Sequence, residues 1–146
     1  MTKPSASSVD PPPLDAKWDA DALKAGASVT VVFAAPFLIA ARLVADHDKH
    51  SPYALPLILI AIVGFVLGGG VAAWRQRCRS PLSHGIVTSA GTFVVVQGVF
   101  VIVNLIRGAD IRWLNIVFTL TVTVFAGMLG GLLGIRLQKN GFEARR

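Results

Sequence analysis

Four stretches of this chain carry no Asp, Glu, Lys or Arg. They hold 17 residues between Lys24 and Arg42, 25 between Lys49 and Arg75, 27 between Arg79 and Arg107, and 23 between Arg112 and Arg136. A helix needs about 20 apolar residues to cross about 30 Å of hydrocarbon. Hydrocarbon offers the backbone no water, and a helix satisfies its own N–H and C=O groups. The first run is short, but Arg42 can reach the interface along its aliphatic stem. The spacing therefore predicts membrane helices over 25–44, 53–74, 82–106 and 113–137. A cytoplasmic tail, disordered or interfacial, precedes them over 1–24, and a basic tail follows over 138–146.

Other classes fail on composition and period. Helices at the surface of a water-soluble protein keep a polar face, whereas nearly every residue of the last three runs is apolar or small. Strands of a membrane barrel alternate with a period of two, and these runs do not. Charged residues make up 15% of the chain, against about 25% in soluble domains. The formal charge of +6 does not imply a nucleic-acid partner, because the basic residues flank the runs. Lys3, Lys17, Lys24, Arg75, Arg77, Arg79, Arg136, Lys139, Arg145 and Arg146 fall on one side of a four-pass chain. Arg42, Lys49, Arg107 and Arg112 fall on the other. The positive-inside rule then places both termini in the cytoplasm of a multi-pass protein of the plasma or inner membrane. Tyr53, Trp74 and Trp113 stand at the run ends, as interfacial aromatics do.

Residues 1–13 end in Pro11-Pro12-Pro13 and cannot bury a core. Residues 14–24 fit either a short interfacial helix with Trp18 at headgroup depth or an unstructured tail. The first apolar run starts late and lacks a cleavage pattern, so no signal peptide is expected. Cys78 is the single cysteine, so no internal disulfide is expected. Its arginine neighbours favour a thiolate, though an incidental surface thiol is the simpler reading. Short connections make consecutive helices antiparallel neighbours. The expected fold is all-α: an integral membrane bundle of four transmembrane helices, up-down-up-down. A shift of 62 residues aligns Leu67-Gly68-Gly69 with Leu129-Gly130-Gly131 and Gln76 with Gln138. If that repeat is real, the bundle is two tandem hairpins related by an axis along the membrane normal.

Glycines are the sharpest motif. Gly64, Gly68, Gly69 and Gly70 lie in the second run, and Gly127, Gly130, Gly131 and Gly134 in the fourth. Glycine at i, i+4 lets backbones approach closely, and such packing carries much of helix association in lipid. These residues predict a seam between the second and fourth helices, within one chain or between chains; room for a pore or ligand is the alternative. The intramembrane polar residues include Thr92, Gln97, Asn104, Thr119 and Thr123. Threonine can bond its own helix, whereas Gln97 needs a partner and is expected to face the bundle interior. No ionisable residue lies deep in a run, which disfavours proton-driven antiport and intramembrane acid–base catalysis. No cofactor or metal is expected: Asp46-His47-Asp48-Lys49-His50 packs its possible ligands too closely to converge on one ion. Arg75, Arg77 and Arg79 should attract anionic lipid, and His84 reads as an interfacial residue beside them. Pro36 and Pro56 are expected inside their helices, each freeing a carbonyl.

Gly68-Gly69-Gly70 with the arginines that follow, Pro81-Leu82-Ser83-His84-Gly85 and Gly130-Gly131-Leu132-Leu133-Gly134 resemble small four-span bacterial inner-membrane proteins. That resemblance implies a bacterial inner membrane and no particular activity. Small multidrug exporters are of similar size, but their buried glutamate has no counterpart here. The expected function is a non-enzymatic structural or accessory subunit, in contact with the bilayer and with itself or another membrane protein. A small oligomeric channel or transporter is the alternative.

Overall fold

A computed structural model of the chain describes residues 18–48 and 51–141. It contains α1 (Ala20–His47), α2 (Ala54–Arg75), α3 (Pro81–Ile106) and α4 (Trp113–Lys139), with no strand among the described residues. All four helices are long and apolar enough to cross a membrane. They run up-down-up-down. Residues 14–17 lie outside the described residues, while 20–24 form the first turn of α1, continuous with the span.

Local chemistry sets the helix ends. Asp19 caps α1, its Oδ1 accepting the Ala22 N–H at 3.1 Å, which satisfies one of the first-turn donors. This cap starts α1 five residues before the apolar run does. Pro81 occupies the first turn of α3, where its missing N–H costs nothing. Pro36 stands inside α1. Pro56 does not stand inside α2 in the expected sense: it falls in the first turn, where no intrahelical N–H bond is lost. Gly108 has φ +63° in the connection to α4, a left-handed conformation that glycine adopts without strain.

The helices form a diamond. α1 packs on α2 and α3, and α4 packs on the same two, while α1 and α4 have no close backbone approach. The α2–α3 contact thus has no counterpart between α4 and α1. A two-fold axis relating the two hairpins requires both contacts or neither, so the packing departs from that symmetry.

The distribution of residues is inverted relative to a protein in water. The core cluster is Ala34, Ala61, Phe65, Phe93 and Ala126, and the largest fully buried side chains are His84, Thr30 and Ser89. Large aliphatic and aromatic groups such as Leu59, Val95, Phe118 and Leu129 face outward. An outer surface of this kind fits hydrocarbon and would associate in water. With the four spans, it makes the chain a multi-pass membrane protein. Most of the buried residues sit towards one end. They cover α1 from Ala22 to Ala34, α2 from Ala61 to Ala73, α3 from His84 to Phe93 and α4 from Thr123 to Gly134. This end carries the start of α1 and the end of α4, with Lys24, Arg75, Arg77, Arg79, Arg136 and Lys139, and is called the basic end below. The opposite half is packed more loosely.

Candidate functional site

Stripes of small residues draw the helices together. On α1 the buried positions Ala22, Gly26, Thr30 and Ala34 recur every four residues, which places them on one face. They meet α2. A Cβ on Gly64 would lie 2.9 Å from the Ala34 nitrogen, and one on Gly68 would collide with Thr30 Oγ1 and lie 2.7 Å from the Gly26 carbonyl oxygen. On the other side of α2, a Cβ on Gly69 would sit 2.9 Å from Ser89 Oγ and 3.3 Å from the Gly127 Cα, and Gly70 faces Gly130. A Cβ on Gly130 would run into the Val66 carbonyl, and one on Gly134 would lie 2.7 Å from the Ala73 Cβ. Gly127 and Gly131 turn instead to α3, against Gly85, Ser89 and Leu82. The eight glycines of α2 and α4 therefore serve four helix pairs, α1–α2, α2–α3, α2–α4 and α3–α4, all within the chain. Gly26 and Gly85 complete the seam and were missed from sequence. Their signal was present as Gly26-xxx-Thr30-xxx-Ala34 and Gly85-xxx-Ser89.

Polar groups tie the same seam. Ser89 Oγ donates to the Phe65 carbonyl at 3.0 Å, a bond between helices worth roughly 0.6–2 kcal/mol in lipid. Thr30, Thr119, Thr121 and Thr123 each donate to the carbonyl one turn earlier in their own helix. Gln97 departs from expectation. It is half-exposed, and neither it nor Asn104 makes a side-chain hydrogen bond among the described residues. Gln97 continues the Gly85-Ser89-Phe93 stripe towards α4, but lies beyond Phe93, where α3 has no further buried residue. Counting along the antiparallel pair from Gly85–Gly131 and Ser89–Gly127 puts Gln97 level with Thr119. The Thr119 hydroxyl donates to the Asn115 carbonyl at 2.8 Å and makes no bond to Gln97.

The basic end is closed by a polar cap. His84 is 0% exposed, not interfacial as its position suggests. The Asp19 N–H donates to His84 Nε2 at 2.9 Å, so this nitrogen carries no proton. The proton is on Nδ1, which donates to the Ser80 carbonyl at 2.9 Å. Trp18 covers the imidazole with ring centroids 5.3 Å apart. One side chain thus joins the starts of α1 and α3. Gln138 does the same for the ends of α2 and α4. Its Nε2 shares its two hydrogens among the carbonyls of Trp74 at 2.8 Å, Ala73 at 3.1 Å and Gln76 at 3.3 Å. These are carbonyls that the last turn of α2 leaves without an intrahelical donor. Gln76 is buried, and its Oε1 accepts the Ser80 N–H at 3.3 Å.

A Gln138→Ala substitution is expected to cost about 1–2 kcal/mol by stranding these carbonyls. Gln138→Glu, which replaces the donor by an anion, is expected to cost more. Thermal unfolding in mild detergent measures both, and Glu matching wild type would remove the capping role.

No family model, curated protein or solved structure matches this chain.

The remaining candidates are peripheral. Arg75, Arg77 and Arg79 are exposed around the basic end; Arg79 takes a left-handed φ of 53°. Asp46 is engaged by Arg42 at 3.6 Å, and the Arg42 guanidinium lies 5.8 Å over the Phe100 ring of α3. Lys49 and His50 lie outside the described residues. No group of three or more potential metal ligands forms among the described residues. Cys78 is a half-buried free thiol.

Proposed function

We propose that this chain is a non-enzymatic accessory or structural subunit of a membrane assembly. We place it in a bacterial inner membrane, with both termini and the Arg75–Arg79 loop in the cytoplasm. The observation that carries the reading is Gln97. Its amide lies about 14 Å from the end of α3 at 1.5 Å per residue, deep in a span, and no group among the described residues bonds it. Lipid tails cannot bond it either, and an unsatisfied amide in hydrocarbon is costly. A helix of a second copy or of another membrane protein, laid in the loose half of the α3–α4 groove, supplies the missing partner. Asn104, seven residues on, shares that face.

The packed interior supports the same reading. Its seam glycines and the Ser89 hydroxyl are consumed in holding the bundle together, which points activity towards partners to the outer surface. The basic residues flanking the spans support the orientation, through the positive-inside rule.

The test is purification in mild detergent. A stoichiometric partner, or a defined homo-oligomer, is expected with wild type and lost in Gln97→Leu and in the Gln97→Leu/Asn104→Leu pair. The thermal stability of the isolated bundle should be unchanged or raised, since an unpaired polar group is removed. Ion or solute flux through liposomes that Gln97→Leu abolishes would replace this reading by an oligomeric channel.

A further inference from the structure

The face of α3 turned towards α1 bears a second polar anomaly. Six threonines lie among the described residues. Four bond their own helix one turn back. The other two, Thr88 and Thr92, make no side-chain hydrogen bond among the described residues, although both are buried. Thr88 is 4% exposed, and its Oγ1 is a buried side-chain oxygen without a partner. Both line one groove between α1 and α3, with a volume of about 350 Å³.

The walls of that groove are ordered by depth. Lys24 stands at its basic end, Ala27 and Gly91 follow at the depth of the threonines, and Val31, Val95 and Val96 line it deeper still. From Lys24 to Val31 is about 10 Å along α1. Thr88 lies level with Gly26, its Cγ2 being 2.9 Å from where a Gly26 Cβ would sit. The two unpaired hydroxyls are therefore deeper than the lysine. Lys24 is exposed and forms no ion pair among the described residues. Asp21, one turn earlier on α1, is the nearby charge of opposite sign. A cation at the surface, hydroxyl donors below it and an apolar channel below those match a glycerophospholipid: phosphate, ester carbonyls, acyl chain.

We propose that the α1–α3 groove binds one anionic glycerophospholipid from the leaflet at the basic end. Its phosphate rests on Lys24, its ester carbonyls accept from Thr88 and Thr92, and one acyl chain passes Gly91 and lies along Val31, Val95 and Val96. The Thr88 hydroxyl reaches a carbonyl by rotation about Cα–Cβ, between the two wells that helical threonine uses. This site is on the α1 side of α3, apart from Gln97 on the α4 side.

The test places the full chain in nanodiscs of equimolar phosphatidylcholine and phosphatidylglycerol, followed by gentle release and native mass spectrometry. One retained lipid is expected, with phosphatidylglycerol in clear excess. Lys24→Gln should lower that preference about fivefold, the effect of one charge near a membrane surface. Thr88→Val with Thr92→Val should weaken retention of either lipid. Gly91→Leu should expel the lipid without disturbing the bundle, because nothing lies within 4 Å of a Cβ there; Gly98→Leu, equally open and outside the groove lining, should leave it bound. Three results would overturn the proposal. These are equal retention of the two lipids by wild type, a preference that follows Arg75, Arg77 and Arg79 to Gln rather than Lys24, or undiminished lipid in Gly91→Leu.

Discussion

Replacing Gly130 by alanine is expected to destabilise the bundle by about 3 kcal/mol, the upper part of the usual range for overpacking a tight core; leucine at the same position is expected to prevent folding. The added Cβ would meet the Val66 carbonyl oxygen and, at 2.7 Å, the Gly70 nitrogen. Both are backbone atoms of α2, and neither can rotate away as a side chain would. The clash is relieved by parting α2 from α4. That loosens Gly134 from Ala73 and Gly69 from Gly127, which belong to the same seam. Gly91 supplies the internal comparison. It is in mid-helix with nothing within 4 Å of its Cβ position, so Gly91→Ala is expected to gain roughly 0.5–1 kcal/mol from helix propensity alone. One chemical change thus has opposite signs at two glycines of one protein. Thermal or denaturant unfolding in mild detergent measures both, and a Gly130→Ala protein as stable as Gly91→Ala would refute the packing described here.

The two glycines also mark what was legible in the sequence. The number of helices and their alternation follow from charge-free runs, because bilayer thickness sets run length directly. The start of α1 was not legible in that way. Its first turn lies among Asp19, Asp21 and Lys24, and the end is fixed by a cap rather than by hydropathy. The glycine motifs announced close packing, but a linear motif does not name its partner helix. Gly68 and Gly69 are adjacent in sequence and face different helices, being about 100° apart around the axis. Gln97 stands outside the packed interior for a related reason. Polarity and depth argued for an interior position, yet α3 has small residues at Gly85 and Ser89 and larger ones from Phe93 onward. Small residues let the helices close at the basic end, and larger ones hold them apart beyond it. Where a bundle opens depends on several helices at once, and no single run encodes it.

His84 is the residue least legible in sequence and, after the glycine seam, the most costly to alter. Four residues into a helix beside three arginines, it reads as a headgroup contact. In the fold, Gly85 draws this turn of α3 against α4, and the start of α1 closes over the imidazole. His84→Ala is expected to cost about 2–4 kcal/mol. The change leaves a cavity at a fully buried site and strands the Asp19 N–H and the Ser80 carbonyl. His84→Phe separates these effects. The phenyl ring fills the space and can stay against Trp18, but it neither accepts from Asp19 nor donates to Ser80. It should therefore retain about 1–3 kcal/mol of the loss. The damage should be local before it is global. This bond holds the first turn of α1 over α3, whereas Gly26 and Thr30 pack α1 on α2 farther in and Gln138 secures α2 to α4 independently. Amide hydrogen exchange is thus expected to accelerate first over residues 19–24, while the 66–73 and 127–134 segments keep their protection. If exchange in α1 were unchanged in His84→Phe, the imidazole would be filling space and nothing more. If all four helices lost protection together, α1 would be no separable unit of the bundle, and the histidine would be a keystone of the whole.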